Sequence, residues 1–72
     1  IETEKEQRRL ARRLEQLETQ IEDLDSQISQ LQEAMEATND AAELMESQQQ
    51  IDQLTAAQEE AMLEWEELAE KV

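Results

Sequence analysis

Eight apolar residues, Leu10, Leu14, Leu17, Ile21, Leu24, Ile28, Leu31 and Met35, follow one another at alternating steps of four and three. A heptad repeat of this kind keeps one narrow stripe of a long helix turned toward a partner helix. A second apolar series, Leu44, Ile51, Leu54, Ala61, Trp65, Leu68 and Val72, has the same spacing logic but a different phase. Extending the first phase would bring Thr38, Asp52, Glu59 and Glu66 into the core. The offset between the two series is two residues, whereas coiled coils absorb insertions of three or four. The stripe therefore turns back on itself. The expected fold is all-α, a two-helix antiparallel coiled-coil hairpin.

The turn is expected at residues 38–40, where Thr38, Asn39 and Asp40 carry side chains that compete for backbone groups and favour caps and turns. Asp40, followed by Ala41, Ala42 and Glu43, reads as an N-cap with a reciprocal acidic residue three positions on. Helix 1 is predicted over about residues 4–37 and helix 2 over about 41–70, within one hairpin spanning residues 1–72. At 1.5 Å per residue each arm is roughly 45–50 Å long. Both chain ends then lie at one tip, the base of the rod. Met35 belongs to the seam; Met45 and Met62 flank it and read as ordinary packing.

Two pairings set the two kinds of seam position against each other. One places Leu10 opposite Trp65, Ile21 opposite Leu54 and Leu31 opposite Leu44, and brings Arg13 to Glu64 and Glu6 to Lys71. The other places Leu17 opposite Trp65, Ile28 opposite Leu54 and Leu31 opposite Ile51, and sets Arg13 beside Lys71. Charge favours the first, mildly, because an exposed pair contributes only about 0.2–1 kcal/mol. Either pairing leaves Ser47 and Gln58 on the seam, where polar residues fix register at some cost in stability.

The residue inventory removes whole classes of function. The chain has no His, Cys or Gly. Zinc sites of the usual kinds, Ser-His-Asp and Cys-His catalysis and glycine-rich phosphate loops are therefore excluded. The carboxylates of Glu22, Asp23 and Asp25, of Glu59 and Glu60, and of Glu64, Glu66 and Glu67 lack the glycine turn of a calcium loop. They read as solvated helix faces. No catalytic residue, cofactor site or metal site is expected in the chain, and it is not expected to be an enzyme by itself. No apolar run approaches the ~20 residues that span a bilayer, and no secretory signal pattern is present. The expectation is a cytoplasmic origin without a membrane partner, with which the absence of Cys agrees.

Charge supplies the one functional asymmetry. The net charge is −14, yet residues 1–13 carry Lys5, Arg8, Arg9, Arg12 and Arg13 against Glu2, Glu4 and Glu6. Beyond them, Lys71 alone stands against seventeen acids. At 100° per residue the five bases fall within an arc of roughly 140° turned away from the leucine stripe. The basic stripe is ~13 Å long by helical rise, a length suited to about two to four phosphates. Lys5, Arg8, Arg9, Arg12 and Arg13 are thus candidate nucleic-acid contacts, sequence-independent and salt-sensitive. The opposing reading is intramolecular: the bases neutralise Glu59, Glu60, Glu64, Glu66, Glu67 and Glu70, which the hairpin brings to the same end. A strongly negative chain repels a polyanion at long range, which favours that second reading.

The stretch Lys5-Glu6-Gln7-Arg8, the following Leu10, Leu14, Leu17-Glu18, Ile21-Glu22 and Leu24, the polar turn, and Glu64-Trp65-Glu66-Glu67-Leu68 resemble the C-terminal coiled-coil domain of ABC-F ATP-binding cassette proteins, in the Uup-like branch. The resemblance runs from about residue 4 to residue 70, and its specific parts are the K-E-x-R opening and the late W-x-E-L. It implies a parent protein with two cassettes that hold ATP and magnesium, cytoplasmic and acting on the ribosome in translation. It also implies a tail associated with nucleic-acid binding, ribosomal RNA or DNA, through Lys5, Arg8, Arg9, Arg12 and Arg13. The acidity beyond Leu14 departs from a strongly basic DNA-binding tail.

The expected function is a non-catalytic interaction module of a larger protein, with nucleic acid and the parent's cassette domains as partners. The alternative is a structural or protein-protein coiled coil without a nucleic-acid role. The hairpin is expected to be monomeric, with self-association through one unbroken helix as the other arrangement.

Overall fold

The computed structural model describes residues 2–72, with side chains from residue 3 onward. Ile1 and the side chain of Glu2, counted above in the charge of the opening segment, lie outside the described residues. Two helices, α1 over Glu2–Glu36 and α2 over Ala41–Ala69, pack against each other along their length. Together they form a rod of 59 × 14 × 12 Å. The predicted hairpin is the observed one, and the helix ends fall within two residues of their expected places.

Residues 37–40 turn the chain without a glycine and, among the described residues, without any positive φ. The last turn of α1 tightens as the Ala37 N–H is shared between the carbonyls of Glu33 and Ala34, both at 3.2 Å. Asp40 caps α2 from an extended conformation: its carboxylate accepts the Ala42 N–H at 2.9 Å, satisfying one of the free donors of the first turn. The reciprocal half of the cap differs from expectation. Glu43 does not return to the Asp40 N–H; that donor goes to the Thr38 hydroxyl oxygen at 3.2 Å, and the Thr38 hydroxyl donates to Glu43 at 2.7 Å. Thr38, half-buried in the turn, thus takes the bond that a simple capping box would make.

The core is one layer thick. Leu17, Leu24, Ile51 and Ala61 are buried, Leu17 down to 1% exposure. Leu10, Leu14, Ile21, Ile28, Leu31 and Met35 on α1, with Leu44, Leu54, Trp65 and Leu68 on α2, are half-buried around them. A two-helix rod cannot hide these residues further, because each seam position keeps an open flank. Val72 is a correction to the second series: it lies past the end of α2 and is 62% exposed. Met45 and Met62 are corrections as well, since both are exposed rather than packed.

The two polar seam residues are explained differently. Gln58, half-buried, donates its side-chain amide to the Ile21 carbonyl at 3.2 Å, tying α2 to the backbone of α1. Ser47 is half-buried and is small enough to need no more than its place. The register follows from such contacts. Arg13 meets Glu64, as the first pairing requires. Gln58, however, reaches the level of Ile21 where that pairing sets Leu54, one turn away. The register falls between the two expected pairings, for Trp65 reaches Glu18, one residue from the Leu17 that the second pairing sets opposite it.

Candidate nucleic-acid interface

The base of the rod gathers the opening of α1 and the last three turns of α2. α1 remains helical through its basic stretch because Lys5 to Arg13 contains only good helix formers, with Leu10 supplying the seam contact. Lys5, Arg8, Arg9 and Arg12 are all exposed along its outer side. Arg8 and Arg9 follow Lys5 by three and four residues and precede Arg12 by four and three, so their charges form one continuous strip on the helix surface.

Arg13 behaves differently from the other four. Lying at the flank of the seam, it crosses to α2 and grips Glu64 with two bonds, Nε to Oε2 at 2.6 Å and Nη2 to Oε1 at 3.0 Å. A further Nη1 donates to Gln16 at 3.4 Å. The fork-to-carboxylate geometry fixes orientation as well as distance. The hydrogen bond from Arg13 holds the Glu64 carboxyl below the ordinary carboxylate range, against the opposing effect of burial and with a lesser contribution from the Arg13 charge. The same bond raises the Arg13 guanidinium further above its already high value. Among the described residues this is the one ion pair, so the intramolecular reading accounts for Arg13 and not for the rest of the strip.

Two more contacts close the base. Gln7 donates to the backbone carbonyl of Lys71 at 3.3 Å, and the Trp65 indole N–H donates to Glu18 at 3.2 Å. Trp65 is half-buried on the seam, as its spacing predicted, and its ring is not free to stack on a base. Leu10 and Leu68 floor a shallow groove here, edged by Glu6, Arg9, Arg13, Glu64 and Lys71. Glu6 and Lys71 thus share an edge, but the ion pair expected of them is not formed.

Of the five predicted contact residues, the fold keeps Lys5, Arg8, Arg9 and Arg12 together on one open side and turns Arg13 to the neighbouring helix. Glu64, set against Arg13 by the charge match of the first pairing, is the partner that draws Arg13 out of the strip. Leu63, 60% exposed and directed away from the seam, lies between heptad positions, so the repeat gives no sign of it. Among the described residues no group of three carboxylates is arranged to hold a metal ion. None of their helices is long and apolar enough to cross a membrane. A search of curated proteins and one of solved structures each gave no match. Over residues 3–70, however, the chain matches the family described as ABC transporter C-terminal domain, and it belongs to that family.

Proposed function

We propose that this member of the ABC transporter C-terminal domain family is a non-catalytic interaction module that holds the sugar-phosphate backbone of ribosomal RNA or DNA through Lys5, Arg8, Arg9 and Arg12. Arg13, the fifth base of the stripe, serves as the brace between the arms. The family accounts for the module and for its lack of catalytic machinery. The observation that carries the nucleic-acid reading is local: four exposed bases stand in one strip in a chain that is otherwise heavily acidic. Such a strip meets phosphates without reading bases. The resemblance of Lys5-Glu6-Gln7-Arg8 and Trp65-Glu66-Glu67-Leu68 to ABC-F tails supports a cytoplasmic parent of the Uup-like branch acting on the ribosome. In that parent, ATP and magnesium belong to the cassettes, which are the module's other partners.

Titration with single- and double-stranded oligonucleotides at 50 and 200 mM salt tests the proposal. For two to four phosphate contacts, affinity should fall on the order of ten- to a hundredfold between the two salts. Arg8→Gln, Arg9→Gln and Arg12→Gln together should abolish binding while leaving the hairpin folded. Absence of any binding at 50 mM salt would leave the structural or protein-interaction reading, which the acid-rich second arm favours.

A further inference from the structure

The described residues include four large apolar side chains that are exposed, Met45, Met62, Leu63 and Val72, and all of them lie on α2 or just after it. Two are neighbours. Leu63 is 60% exposed and Met62 42%. Glu59 and Glu66 each stand three or four residues from both, while Glu67 follows Leu63 by four and Glu70 follows Glu66 by four. Residues at these spacings touch on a helix surface, so the apolar pair sits inside a frame of carboxylates. The one ion pair of the described residues takes Glu64, which leaves Glu59, Glu66, Glu67 and Glu70 exposed and facing one another. Like charges at such spacing destabilise a helix, and water gives Leu63 nothing in return. A surface that is basic around an apolar recess relieves both.

The position of this face narrows the choice of partner. The outer sides of α1 and α2 are opposite each other, because the two seams face inward. A polyanion on the strip of Lys5, Arg8, Arg9 and Arg12 therefore leaves the Leu63 side uncovered, and the carboxylate frame repels it there. Leu63 is also close to the base, about 15 Å along the rod from the level of residue 3 by helical rise. A C-terminal domain of an ABC protein is joined to the ATP-binding part of its own polypeptide. Such a tether supplies an effective concentration on the order of millimolar, so a patch too small to hold a free partner suffices.

We infer that the outer face of α2, with Met62 and Leu63 framed by Glu59, Glu66, Glu67 and Glu70, docks on a basic surface of the cassette part of the same chain, with Leu63 as the anchor. This rests on reading the hairpin as a module of an ABC parent. Docked in this way, the acidic arm is neutralised within the parent and the basic arm is presented outward.

The test uses the full-length parent protein with a photo-crosslinking side chain at Leu63, and at Thr19 on the outer side of α1 as a control. Adducts from position 63 should map to the cassette part of the same polypeptide. They should fall several-fold at 0.5 M salt, and again with Glu66→Lys and Glu67→Lys, two exposed positions whose change leaves the hairpin folded by circular dichroism. Position 19 should give none of these adducts. Adducts from position 63 to nucleic acid, to a second copy in an isotope-mixed sample, or to nothing would overturn the inference, as would insensitivity to charge reversal. If nucleic-acid binding through Arg8, Arg9 and Arg12 persists while position 63 gives no cassette adduct, only the docking fails. A parent without cassettes would overturn both.

Discussion

The two arms of this hairpin are built on the same repeat and use it differently. α1 is sharply amphipathic: its large apolar side chains all enter the seam, and its outer side is polar throughout the described residues. α2 is less strictly divided, with Ser47 and Gln58 inside the seam and Met45, Met62 and Leu63 outside it. Charge divides them again, since the bases cluster at the start of α1 and the end of α2 is almost wholly acidic. The lesson concerns surplus. Residues that a two-helix core requires account for α1's apolar side completely, whereas α2 carries apolar and acidic features that the core does not use. Unused features of that kind are where partners should be sought.

The largest expected effect contrasts one leucine on each arm. Leu17→Ala removes a fully buried side chain and should cost about 2–5 kcal/mol. For a chain of this size total stability is roughly 4–11 kcal/mol, so thermal melts of the isolated hairpin should show most of its cooperativity lost. Leu63→Ala should change the same melt by no more than about 0.5 kcal/mol, as for a surface substitution. If the two variants melt alike, Leu63 has a core role and the distinction between the arms collapses.

A smaller effect should make α2 more like α1. Gln58→Leu replaces the polar interruption with an apolar seam residue, and the Ile21 carbonyl loses only its added side-chain donor. Partial burial of the leucine is worth about 1 kcal/mol, a rise in melting temperature of about 4–8 °C for a domain of this size. A fall would mean that the hydrogen bond to Ile21 outweighs apolar packing at this layer.

The smallest effect concerns the brace. Arg13→Gln should lower the melting temperature slightly at neutral pH, because the pair is exposed. The sign of its pH dependence follows from Glu64. Its carboxyl is depressed in the folded hairpin by the bond from Arg13. The stabilisation is therefore complete above the ordinary carboxylate range and disappears as pH falls through the folded value. Melts of parent and variant should differ at pH 7 and coincide in acid. A difference that persists in acid would assign Arg13 a packing role for its alkyl stem instead.

Much of this was readable beforehand, for local reasons. Thr38, Asn39 and Asp40 mark the turn because their side chains act on nearby backbone, and Asp40 caps α2 as its type and place suggest. The exchange of partners among Thr38, Asp40 and Glu43 was not readable, since it depends on the path of the turn, which brings the Thr38 hydroxyl within reach of both others. At the site, the strip of Lys5, Arg8, Arg9 and Arg12 follows from helical periodicity alone. Separating Arg13 from it required knowing which residue of α2 came opposite.

Periodicity and turn chemistry by themselves determined that this chain is two helices folded into one antiparallel rod, because helical spacing and capping act within a few residues of sequence. Tertiary structure decided the register, the use of Gln58 and Arg13, and the exposure of Met62, Leu63 and Val72. Each of these depends on how far one arm is advanced along the other. A repeat with the same spacing on both arms accommodates more than one such advance, and only specific contacts between the arms choose among them.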